Sequence, residues 1–163
     1  MWEHISPEQK RTLLAASLGW MLDSMDVMLY SMALVPIQQE LGIRAATSGM
    51  LISATLVASA AGGVLFGILA DRVGRARALM GSILVYSIFT GACGLAQNVA
   101  QLAVFRTLLG LGMGGEWATG AALVAETWPS EHRGKALGLM QSSWAVGYAV
   151  AAALTALILP RFG

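Results

Sequence analysis

The chain has 163 residues, 56% of them hydrophobic and 12% charged, with a net charge of +1. Soluble domains carry about 45–50% apolar and about 25% charged residues, so a globular fold in water is excluded. Its ten Lys and Arg residues are scattered, which excludes a nucleic-acid partner, since phosphate binding needs a concentrated basic face.

Ser6-Pro7-Glu8-Gln9 opens the chain's regular structure with a cap at Ser6, proline at the first helical position and Gln9 closing a capping box. Apolar blocks then follow at Leu13–Val35, Met50–Ala70, Ala78–Leu95, Leu102–Ala125 and Ala136–Leu159. Each is near the roughly 20 residues that cross a hydrocarbon core. Backbone groups in lipid must be satisfied within their own segment, so the predicted fold is all-α: an integral membrane bundle of five transmembrane helices. The first block is too long for the apolar part of a cleaved signal and holds two aspartates, so it is expected to remain in the mature protein. Cys93, the only cysteine, lies in the third block. That leaves no intramolecular disulfide or Cys-based metal site, and neither cofactor nor metal is expected.

Alternate crossings place Lys10, Arg11, Arg72, Arg75, Arg77, Arg133 and Lys135 on one side and Arg44 and Arg161 on the other. The positive-inside rule then puts the N-terminus in the cytoplasm of a cell (inner) membrane. Loops 71–77 and 128–135 are cytoplasmic on this reading, and 36–46 and 96–101 face out, as does Gly163.

Many transporters repeat three-helix units in inverted topology. Gly19-Trp20-Met21-Leu22-Asp23-Ser24-Met25-Asp26 in block one and Gly112-Met113-Gly114-Gly115-Glu116-Trp117 in block four both set acids among glycine and tryptophan. If these are equivalent helices, the second unit lacks its last helix and the chain is a fragment.

Asp23, Asp26, Arg106 and Glu116 fall inside the blocks. An ionisable group there costs on the order of 2.5–3.5 kcal/mol at mid-helix and marks function by default, although a structural ion pair or a wet cavity would also satisfy it. Counting the helical rise puts Asp26 about 10 Å and Arg106 about 6 Å below the outer face, so they can pair if helices one and four are neighbours. Burial favours the neutral form of an acid and a nearby guanidinium favours its carboxylate. Separating the two would therefore take up a proton, and their return would release it. Asp23, one turn from Asp26, is a second titrating group, a substrate contact, or a carboxylate kept hydrated in a cytoplasmic-side cavity. Glu116 lies about 21 Å beyond Leu102, toward the cytoplasmic side, with no partner nameable from sequence.

Small residues four apart recur at Gly63 and Gly67, Gly110 and Gly114, and Gly134 and Gly138, a spacing that lets helix backbones approach closely. Loop 71–77 is short enough to demand a tight turn at Gly74.

Three motifs in order carry a family resemblance. Gly67-x-x-x-Asp71-Arg72-x-Gly74-Arg75-x-Arg77 resembles the signature between helices two and three of the major facilitator superfamily. Arg106-x-x-x-Gly110-x-Gly112-x-Gly114-Gly115 resembles that family's arginine-and-glycine run in helix four. Glu126-x-x-Pro129-x-x-x-Arg133-Gly134 is similar to the cytoplasmic motif of its sugar-porter and metabolite:proton symporter branches. The resemblance covers essentially the whole chain. It implies the N-terminal six-helix half of a twelve-helix transporter without its sixth helix, and hence a C-terminal half as partner.

In the family's proton-coupled sugar symporters a helix-one aspartate pairs with the helix-four arginine, as Asp26 and Arg106 would here. The family's cytoplasmic gate maps onto Gly67, Asp71, Arg72, Gly74, Arg75, Glu126 and Arg133. Helix five lacks the G-P-x-x-G-G stretch of drug:proton antiporters, so the resemblance favours symport or facilitated diffusion. Asp23-x-x-Asp26 followed by Tyr30 looks more like the organic-acid and sialate branches than strict sugar porters. Tyr30, Glu116, Gln141, Trp144 and Tyr148 are candidates for the substrate cavity, with Ser142 beside them.

The expected function is secondary active transport by alternating access, as proton symport of a small organic anion or sugar, with lipid, solute and protons as partners. Facilitated diffusion and a non-transporting scaffold or receptor are the alternatives, and a small transporter working as a dimer stays open. A membrane enzyme is disfavoured: no His-Glu-x-x-His or G-x-S-x-G is present, and the two histidines lie outside the blocks.

Overall fold

The computed structural model describes residues 5–162, with side chains described to residue 158. Five helices make up the fold: α1 (Pro7–Leu41), α2 (Ala45–Val73), α3 (Arg75–Cys93), α4 (Val99–Thr127) and α5 (Ser130–Phe162). Among the described residues there is no strand. The side chain of Arg161 and all of Gly163, used above for orientation, lie outside them.

α1 starts as its sequence dictates. The Ser6 hydroxyl accepts from Gln9 N–H at 3.2 Å, and Ser6 N–H donates to Gln9 Oε1 at 2.8 Å. Its far end departs from the expectation of a loop from Pro36. The helix runs through Pro36 to Leu41 and stops only where Gly42 turns left-handed, at φ 62°. Proline removes one backbone bond and kinks a helix without necessarily ending it. The connection to α2 shrinks to three residues, with Gln38 Nε2 donating to Ser48 Oγ across it at 3.0 Å. At 35 residues α1 is about 52 Å long, well beyond the roughly 30 Å hydrocarbon thickness, so its ends project or the helix tilts.

The α2–α3 turn is Gly74 alone, at φ 96°, a conformation L side chains rarely adopt. α4 is capped by Asn98, whose side chain accepts from Gln101 N–H at 2.9 Å. α1, α2, α3 and α5 are long and apolar enough to cross a membrane. α4 falls short of that standard, and its position explains why. It packs on α1, α2 and α3 as the middle of the bundle, so its Arg106, Glu116 and glycines face protein instead of lipid. The outer helices have the opposite character, with Met50 71% and Val57 72% exposed, an apolar surface suited to lipid.

The close approaches come from small residues, though only partly those the four-residue spacing singles out. A Cβ at Gly110 would meet the Thr55 carbonyl and one at Gly114 the Ser59 carbonyl, both on α2. Gly62, absent from the predicted pairs, lies against the Leu111 backbone, and Gly112 against Ser82 and Tyr86 of α3. Gly67, Gly134 and Gly138 have nothing within 4 Å.

At one end, Gln9 Nε2 donates to the Thr127 carbonyl at 2.7 Å and Trp128 Nε1 donates to the Gln9 carbonyl at 3.2 Å. Ile5, Leu13, Val124, Trp128, Ala136 and Met140 form a core around this joint. The start of α1 and the α4–α5 turn therefore share one end of the bundle. An ion pair between Arg75 and Glu126 brings the α2–α3 turn to it as well.

Candidate functional site

The four intramembrane ionisable side chains all come from α1 and α4 and lie along the contact between them. Arg106 Nη1 lies 3.3 Å from Asp26 Oδ2, with side chains 6% and 12% exposed. The juxtaposition expected from helix depth is thus present in the geometry. At 3.3 Å the contact is longer than the roughly 2.7–2.9 Å of a tight charge-assisted bond. Tyr30, one turn further along α1, lays its ring against the Arg106 guanidinium at 3.7 Å, within cation–π range. Arg106 Nε and the Tyr30 hydroxyl are buried with no hydrogen-bond partner among the described residues.

Asp23 faces elsewhere. It is completely buried, and neither carboxylate oxygen has a hydrogen-bond partner among the described residues. The hydrated-cavity alternative does not fit that burial. Glu116 is 3% exposed and its carboxyl group lies against Gly19, one turn before Asp23. Glycine is what lets α1 accommodate it. Of the cavity candidates, Glu116 therefore sits in the α1–α4 seam, while Tyr30 borders Arg106.

Trp144 of α5 packs against Trp20 of α1 with the rings tilted by 47° and centroids 4.7 Å apart, and Trp20 lies 6.1 Å from Trp117 of α4. The Ser24 hydroxyl fastens the α1–α5 contact by donating to the Trp144 carbonyl at 2.7 Å. The three tryptophans line a cavity of about 570 Å³. Gln141 and Tyr148 share the stripe of Trp144 by spacing, but α5 packs mainly on α1 and leaves both exposed. Neither lines that cavity, whereas Ser142 lines a separate groove of about 360 Å³ between α1 and α5.

Trp20 and Trp117 were not singled out as cavity residues, because an isolated tryptophan in a membrane helix reads as packing. The available signal was their recurrence next to acids in blocks one and four. Tyr86, also missed, donates its hydroxyl to the Leu22 carbonyl at 3.0 Å and lines a cavity with Asp26.

At the joined end, Arg75 bonds Asp71 at 2.8 Å and Glu126 at 3.0 Å, tying α2, α3 and α4 together. Gly74 makes the turn that allows it. Arg72 and Arg133 are exposed and form no ion pair among the described residues. Gly67 is half-buried with open space beside it.

Residues 16–163 match the family model of the Major Facilitator Superfamily. The chain belongs to that superfamily. As a superfamily member it is a multi-pass membrane protein.

It is 47% identical over 154 residues to a probable 4-methylmuconolactone transporter of Cupriavidus pinatubonensis, covering 94% of this chain and 36% of that one. It is 35% identical to the niacin transporter NiaP of Acinetobacter baylyi, over 93% of this chain and 34% of the relative. The sialic acid transporter NanX of Escherichia coli is likewise 35% identical, over 99% and 39%. The chain thus spans little more than a third of the length of these curated relatives. Among solved structures, a bacterial homologue of the human lysosomal transporter Spinster, inward-facing and occupied, superimposes with a TM-score of 0.82 at 25% identity. That match covers 90% of this chain and 32% of the other. These names concern organic acids, a lactone and niacin, and lend the sugar-porter branch no support.

Proposed function

We propose that the protein acts in secondary active transport, as part of a proton-coupled symporter of a small organic anion working by alternating access. The observation that carries this reading is the loose, nearly dry ion pair between Asp26 of α1 and Arg106 of α4, at 3.3 Å.

Inside a bundle an acid favours its neutral form unless a cation stands beside it. When solute binding and rocking of the helices draw Arg106 from Asp26, the carboxyl group takes up a proton. Restoring the pair releases the proton on the other side, and solute travels with it. Proton flow and solute flow are then the same cycle, each biasing the same two-state element.

The Arg75 contacts with Asp71 and Glu126 act as a latch at the cytoplasmic end, with Gly67 and Gly74 letting the helices meet and Arg72 and Arg133 adding to it when the ends close. The basic residues of this end support a cytoplasmic position for it, at an inner membrane. A second helical half completes the cavity. The relatives' names favour a carboxylate over a neutral sugar as solute.

The test is uptake of labelled nicotinate, cis,cis-muconate, benzoate and N-acetylneuraminate into vesicles holding the protein, under an imposed inward proton gradient. Accumulation of one of them above equilibrium, abolished by a protonophore, is expected. Equilibration that ignores both gradient and protonophore would replace symport with facilitated diffusion.

A further inference from the structure

Two cavities adjoin beside the ion pair. The larger, about 570 Å³, has Trp20, Trp117 and Trp144 on its walls together with Leu56 and Met113. The smaller, about 60 Å³, shares Leu56 and Met113 and is lined also by Arg106 and Tyr30. Leu56 and Met113 wall both, so an aromatic cavity and a cationic one lie side by side.

The cationic end has unused donors. Arg106 Nε–H and the Tyr30 hydroxyl are buried with no acceptor among the described residues, and Arg106 and Tyr30 are only 5% and 8% exposed. Buried donors normally have partners, and leaving them without one is costly. Arg106 spends one long bond on Asp26 out of five N–H groups. About 60 Å³ exceeds the roughly 10–15 Å³ that seats one water, which leaves room for the two oxygens of a carboxylate and no ring besides. The larger cavity offers flat indole faces and little else that is polar.

We propose that the two cavities join between Leu56 and Met113 and together bind a small acid with a flat unsaturated ring. Its carboxylate accepts from Arg106 Nε–H and the Tyr30 hydroxyl while its ring lies among Trp20, Trp117 and Trp144. The ligand's carboxylate then competes with Asp26 for the guanidinium. On the transport reading, the solute itself is what draws Arg106 away. An acyl chain would fill the aromatic end but leave both donors without an acceptor, and a cationic solute would meet Arg106 as a like charge.

The experiment is equilibrium binding of radiolabelled benzoate to the full chain in membrane vesicles, with no pH gradient. Cyclohexanecarboxylate keeps the charge without the flat ring, and benzamide keeps the ring without the charge. Saturable benzoate binding is expected, with cyclohexanecarboxylate competing roughly tenfold more weakly and benzamide not at all.

Tyr30→Phe keeps the ring under Arg106 and removes only an unpartnered hydroxyl, so it should fold normally and weaken benzoate about tenfold. Trp144→Leu should weaken it roughly 3- to 10-fold, with Trp144→Phe recovering part of the loss. Asp26→Asn should tighten binding, because the rival carboxylate is gone.

The proposal is overturned if benzoate fails to bind saturably, or if Tyr30→Phe and Trp144→Leu leave its affinity unchanged. It is equally overturned if benzamide and cyclohexanecarboxylate displace benzoate as well as benzoate itself does, which would mean a cavity that merely takes apolar matter. Absent benzoate binding alongside gradient-driven uptake of another solute would sink this proposal and spare the symport reading. Specific binding alongside gradient-insensitive transport would do the reverse.

Discussion

Gly19 has no side chain where Glu116 needs room, and a Cβ there would run into the Glu116 carboxyl group. The two positions are therefore coupled: Gly19→Ala should cost about 1–3 kcal/mol of stability, in the range for overpacking. Adding Glu116→Ala should restore much of the loss. Thermal unfolding of the two single variants and the double variant in detergent checks this as a double-mutant cycle. Additive losses would mean that Glu116 does not occupy the notch. The sequence displayed the acids but not the notch, because the contact depends on which face of α1 meets α4. Depth along each helix was countable from the ends, and it brought Asp26 and Arg106 to similar heights. The direction of Asp23, one turn away and facing the Glu116 side of the seam, was not countable in that way.

Among the elements, α4 is the most enclosed, and its glycines set how closely α2 and α3 approach. Gly114→Val should push the α2 backbone away at Ser59 and destabilise the bundle by roughly 1–3 kcal/mol or more. Gly138→Ala, with open space around it, should leave the unfolding midpoint almost unmoved. Equal effects at the two sites would contradict the packing described. Both glycines sit in the same four-residue spacing, so the pattern alone could not separate them. What separates them is a neighbour: α4 is surrounded, and the start of α5 is not. Helix existence was legible, because lipid leaves the backbone no other arrangement. Helix ends were less so: α1 continues through Pro36, since one lost backbone bond does not outweigh the turn beyond it.

Across the whole molecule, one end gathers the start of α1, the Gly74 turn and the α4–α5 turn through the Gln9, Trp128 and Arg75 contacts. The Arg75–Glu126 pair is 28% and 53% exposed, so it should contribute no more than about 1 kcal/mol to stability. Glu126→Gln should accordingly leave the unfolding midpoint nearly unchanged while raising the thiol reactivity, from that end, of a cysteine placed at Ala118. Unchanged reactivity would remove the latch role. If this end is cytoplasmic, a cysteine at Arg77 should react with an impermeant reagent only in opened vesicles, and one at Arg44 in intact right-side-out vesicles. The reverse pattern would invert the orientation.

The most direct measurement of the central claim is gradient-driven accumulation by Asp26→Asn beside the unaltered protein, using whichever carboxylate the latter concentrates. Loss of uphill accumulation with exchange of labelled for unlabelled solute preserved is the predicted result. Full accumulation in Asp26→Asn would contradict the claim that the Asp26–Arg106 pair couples protons to solute.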